Sequence, residues 1–73
     1  DVYKRHAMNV AKVIEISAES EVSFEDAIRV GIAKAAASVH NIKGAWVKGQ
    51  KVTVADNQVV GYRVDLKLTF VMD

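Results

Sequence analysis

The chain has no cysteine and only two histidines, His6 and His40, in its 73 residues. Without thiols there can be no disulfide and no thiolate metal site. Two histidines without helical ligand spacing do not make a structural zinc site. An excess of charge of one sign is also missing. Ten Lys and Arg against nine Asp and Glu leave a formal net charge of +1, so there is no basic footprint for nucleic acid. The densest cationic stretch, Lys43 to Lys51, is broken by Gly44, Ala45, Trp46 and Val47 and reads as a solvated strand face. No apolar run reaches membrane-spanning length and no signal peptide is visible, which sets the expectation of a cytoplasmic protein. Ser, His and Asp occur without a nucleophile elbow, and Gly44 and Gly49 frame no phosphate-cradling loop. The expectation is a protein that is not an enzyme.

What the chain does have is apolar surface. Hydrophobic residues make up 51% of it, although so short a chain buries a smaller share of its surface than a larger domain. Small folds make up that deficit with disulfides, metals or association. Association is what remains here, and the composition fits a subunit that buries a second face. Residues 1–7 precede Met8, a natural initiator, and read as an added remnant or loose extension. Residues 8–73 read as a single domain.

The run Val-Ala-Lys-Val-Ile-Glu-Ile-Ser over Val10 to Ser17 is β-branched and predicts a first strand. Ala18 to Val22 is polar and aperiodic, hence a loop. Ser23, three residues before Asp26, gives a variant capping box, and Glu25 adds to the acidic bias at the positive helix end. Phe24, Ala27, Ile28, Gly31, Ala35 and Val39 then lie along one stripe of a helix. That helix is expected to stop near His40 or Asn41, with His40 as a partner of its C-terminal end. Ala45 to Val54 predicts a second strand whose apolar side changes partway, implying a bulge or bend near Gly49 to Lys51. Asp56-Asn57 is turn chemistry. From Val59 to Met72 the alternation is clearest: Tyr62, Val64, Leu66, Leu68, Phe70 and Met72 face one way, and Arg63, Asp65, Lys67 and Thr69 the other.

These elements predict an α+β fold, β-α-β-β, with a three-stranded antiparallel sheet in the order 2-3-1 packed on one helix. A single helix covers one sheet face. The other face and both edges are left for partners, which a closed symmetric assembly supplies without open-ended growth.

At this point the residues resemble a known family. Glu15-Ile16, then Ser20-x-x-Ser23-x-Glu25-Asp26-Ala27, is similar to the dodecin pattern of a strand, a Thr-Ser loop and a helix opening with paired acids before Ala. Ile42 through Val47 and Gly61 through Phe70 resemble the two later dodecin strands. The resemblance covers about Val10 to Met72, in family order. It implies a hollow homododecamer that, in flavin-binding members, holds flavins (FMN, FAD or riboflavin) between subunits, without catalysis. It also implies a stacking Trp at the start of the second strand and a flavin-edge Gln after the aromatic residue of the third. Those positions are Gly44 and Arg63 here, so the chain looks like a branch lacking the flavin pair.

Trp46, two residues beyond Gly44, projects from the same sheet face, shared with Lys48 and, across the sheet, with Arg63. The candidate ligand residues are therefore Gly44, Trp46, Lys48 and Arg63. One reading stacks a flat anion such as a flavin nucleotide on the indole. The other places Trp46 in a subunit interface, with Arg63 paired to Asp65 or another carboxylate. The acids Glu15, Glu19, Glu21, Glu25 and Asp26 raise a calcium-binding alternative, although no calcium loop is present and helix capping accounts for acids at a helix N-terminus. No metal ligand is assigned.

Overall fold

A computed structural model describes residues 10–72 of the chain, so the reading of residues 1–7 falls outside it. The element order is β1 (Val10–Ser20), α1 (Phe24–Ala36), β2 (Ile42–Ala55) and β3 (Gln58–Met72). The sheet order is β1-β3-β2, and β3 is antiparallel to both neighbours.

The strand bounds are wider than the local sequence suggests. β1 continues through Ala18 to Ser20, a stretch read as loop, because β3 is long enough to pair every residue of it, down to Ser20 opposite Tyr62. Cross-strand partners supplied what propensity lacked. The helix begins as expected. Ser23 is the N-cap, and its Oγ accepts from the Asp26 N–H at 3.0 Å. Ser20 Oγ donates to Asp26 Oδ2 at 2.6 Å and accepts from the Val22 N–H at 2.9 Å, tying β1 to the helix start.

The far end differs from expectation. Regular helix ends at Ala36, and Ser38 and Val39 both donate backbone N–H to the Ala35 carbonyl in a tightened last turn. Asn41 does adopt the left-handed conformation (φ 63°), but it feeds β2 rather than capping α1, and His40 lies four residues beyond the last helical one. Both residues of the Asp56-Asn57 turn have positive φ, 53° and 62°, matching a two-residue hairpin turn whose twist suits the strands.

The core lies between α1 and one sheet face. Ala27, Val64, Leu66 and Leu68 are fully buried, and Ile14, Ile16, Ala18, Phe24, Ile28, Ile32, Ala35, Ile42 and Val47 pack around them. Phe24 meets Tyr62 edge to face, with ring centroids 5.2 Å apart. Gly31 permits the closest approach of α1. A Cβ there would sit 2.9 Å from the Ala18 Cβ.

β1 reaches β3 only as far as Tyr62, so beyond it β2 and β3 continue as a two-stranded arm. Residues 51–60 are all exposed, Val52, Val54, Val59 and Val60 among them. The described chain measures 59 × 20 × 14 Å, with a radius of gyration of 15.7 Å, against roughly 11 Å for a compact chain of this size.

Candidate functional site

The face of the sheet turned away from α1 carries the candidate residues, and register arranges them in rows. Val13, Thr69 and Gly44 form one row across β1, β3 and β2; Glu15, Lys67 and Trp46 the next; then Ser17, Asp65 and Gly49; then Glu19, Arg63 and Lys51. β2 keeps its place in this lattice only through irregularities, one of them between Val47 and Gly49. This is the expected change of side, beginning slightly earlier than Gly49 to Lys51. Before it, Trp46 points outward and Val47 packs on the core. After it, Val52 stands opposite the helix-facing Tyr62.

Trp46 is 68% exposed. Lys67, its neighbour on β3, holds its ammonium 5.7 Å from the indole centroid, within cation–π range. Lys48 leans over the middle strand and donates to Glu15 Oε1 at 3.1 Å. Gly44 sits beside Thr69, where an added Cβ would lie 3.2 Å from Oγ1. Arg63 shares the face but not the neighbourhood. It is four residues from Lys67 along β3, about 13 Å at the strand rise, so one subunit does not bring Trp46 and Arg63 onto one ligand plane. Lys67 occupies the place that a sequence-level pairing gives to Arg63. Its outward direction was legible from the alternation of β3; its position opposite Trp46 depended on the irregular register of β2.

Arg63 faces Asp65, with Nε 3.7 Å from Oδ1, as the interface reading expects. Ser17 Oγ donates to the same Asp65 oxygen at 2.7 Å. That hydrogen bond, helped by Arg63 and Lys51 and opposed by partial burial, holds the Asp65 carboxyl below its ordinary value. Glu15, Ile16, Ser17, Lys48 and Asp65 line an open depression of about 310 Å³, at the small end for ligand sites.

The acids of the calcium alternative divide into two groups. Glu25 pairs with Arg29 at 2.8 Å, Asp26 serves the helix start and Glu21 is exposed in the bend just before it, while Glu15 and Glu19 lie on the open face. Among the described residues no three His, Cys, Asp or Glu side chains gather closely enough to hold a metal.

The flavin pair that the resemblance implies fits this geometry only in part. An exposed indole fits the stacking of a flat ring. Arg63 supplies donors alone, whereas an amide both donates and accepts at a ring edge, so Arg63 does not fit the ring-edge role that the resemblance implies. Among the described residues no helix is long and apolar enough to cross a membrane.

Comparison with known proteins agrees with the fold. The dodecin from Streptomyces davaonensis is 28% identical, with a TM-score of 0.85 over 89% of this chain and 96% of that one. A variant of Thermus thermophilus dodecin is also 28% identical, with a TM-score of 0.84 over 89% and 97%. A calcium-chelating dodecin from Mycobacterium tuberculosis, described with a calcium-binding site, is 34% identical, with a TM-score of 0.77 over 88% and 91%. No curated protein sequence matches the chain. The family model for dodecin matches residues 10–73. With a sheet of order β1-β3-β2 folded on one helix and this match over nearly its whole length, the chain belongs to the dodecin family.

Proposed function

We propose that the chain is a non-catalytic subunit of a closed homo-oligomer, twelve copies by family resemblance, that sequesters a flat anionic ligand of flavin type on its open sheet face between subunits. The observation that carries the ligand reading is Trp46, an exposed indole with Lys67 beside it on a face that none of the described elements covers. Association is supported by the two-stranded arm with its exposed valines, since a lone hairpin is marginal in water. The location is cytoplasmic, and the described residues 10–72 fold as one domain.

The ligand reading is tested by titrating the protein with riboflavin and FMN while following flavin fluorescence, and by native mass spectrometry for stoichiometry and retained small molecules. Saturable quenching in the wild type, lost in Trp46→Ala with the oligomer intact, is the expected result. No quenching at micromolar protein with the oligomer intact excludes it.

The second reading is a structural or calcium-binding oligomer without flavin. The 34% identity to the calcium-chelating relative favours it, with carboxylates such as Glu15 and Glu19 gathered from several subunits. It expects Trp46→Ala to shift the oligomer toward smaller species in sedimentation, and calcium to raise the melting temperature of the assembled protein.

A further inference from the structure

We propose that Lys67 decides which flat ligands Trp46 takes, favouring rings that carry a negative charge on the ring itself over neutral rings. The inference rests on the stacking reading of Trp46 and adds to it the chemistry of the ring.

The surroundings of Lys67 set it apart from the other cations of the open face. It is the direct cross-strand partner of Trp46, and its ammonium lies over the indole, 5.7 Å from the ring centroid. The carboxylate beside it in the same row is Glu15, which Lys48 already engages at 3.1 Å. Lys67 itself forms no ion pair among the described residues. Its charge therefore meets the π face of Trp46, and its half-buried stem keeps the ammonium close to that face. The row of Val13, Thr69 and Gly44 next to it holds no charge, and Gly44 puts no side chain beside the indole. In the row on the other side, Asp65 accepts from the Ser17 hydroxyl.

This arrangement acts in opposite directions on two classes of ring. Any ring that stacks on the covered indole face displaces the ammonium from it. A neutral ring forfeits the cation–π contact and loses about two- to fivefold in affinity, the range for a cation at an exposed aromatic. A ring-borne anion, such as an aryl carboxylate or a deprotonated ring nitrogen, keeps the displaced ammonium as its counter-ion. It exchanges a cation–π contact for a charge-assisted hydrogen bond, the stronger of the two. The charge has to sit on the ring because Lys67 is held in the same row as Trp46.

The experiment uses the intact assembly and a matched pair of probes, naphthalene carboxylate and its neutral carboxamide. Both are titrated by calorimetry, with sedimentation as the check that the assembly persists. The wild type is expected to bind the carboxylate about tenfold tighter than the carboxamide. In Lys67→Gln the carboxylate should weaken and the carboxamide tighten by about threefold, so that the preference disappears. Lys67→Arg, which keeps the charge, should keep the preference. Added salt should weaken the carboxylate in wild type and leave it unchanged in Lys67→Gln. Both probes should be lost in Trp46→Ala. An unchanged preference in Lys67→Gln, with the assembly intact, overturns the role of Lys67 and leaves the stacking reading in place. If neither probe binds the wild type, or both bind Trp46→Ala equally well, the stacking reading goes and this inference goes with it.

Discussion

At the scale of single residues, the open face is organised by Asp65. Its carboxyl is held below the ordinary value of 3.8 chiefly by the Ser17 hydroxyl, then by Arg63 and Lys51. A carboxyl whose folded value is depressed stabilises the fold above the unfolded value, and that contribution is lost as pH falls through the folded one. Ser17→Ala should therefore raise the Asp65 value, and acid-induced loss of structure should begin at higher pH than in wild type. Carbon-13 NMR titration of the Asp65 carboxyl, with circular dichroism between pH 2 and roughly 5, checks both. An unchanged Asp65 titration in the variant rejects the assignment of the hydroxyl as the leading cause. Arg63 shows where residue-level reading succeeded and where it stopped. That it faces Asp65 followed from the alternation of β3. That it stands apart from Trp46 did not, because a strand pattern fixes the face of a side chain and leaves its neighbours to the register.

At the scale of elements, α1 lies against β1 through the contact of Gly31 with Ala18. Substituting Ala improves helix propensity by about 1 kcal/mol. The new methyl, however, would come within 2.9 Å of a Cβ fixed on a paired strand, and overpacking costs about 1–3 kcal/mol. The clash outweighs the propensity because the strand cannot recede, so Gly31→Ala should lower stability by about 1 kcal/mol in urea unfolding. Greater stability in that variant would mean the helix can lift without loss. Ser23→Ala removes the cap hydrogen bond to the Asp26 N–H and should cost about 1 kcal/mol, read in the same experiment. The helix start was legible because a cap is local chemistry of a few adjacent residues. The helix end, expected near His40 and found at Ala36, was not. No local residue fixes it, and β2 claims the chain from Ile42 onward by pairing with Phe70.

At the scale of the whole molecule, one helix covers one side of the sheet, and among the described residues the arm beyond Tyr62 has β2 and β3 alone. Val54 and Val59 face each other in that arm, 57% and 49% exposed. Replacing both by Lys should leave the helix-facing core intact and shift the assembly toward smaller species in sedimentation. The wild-type melting temperature should rise with protein concentration, because association stabilises by mass action. A well-folded monomer with a concentration-independent melt removes the oligomer reading.

The sequence by itself determined the element types, their order, the helix-facing stripe of β3 and the two-residue turn. Periodicity, caps and turn residues express short-range physics that each segment carries alone. Only the tertiary structure decided the full length of β1, the end of α1 and the neighbours of Trp46. These depend on which residues lie opposite one another across the sheet, and the irregular register of β2 shifts that pairing by whole residues without a mark in the local pattern.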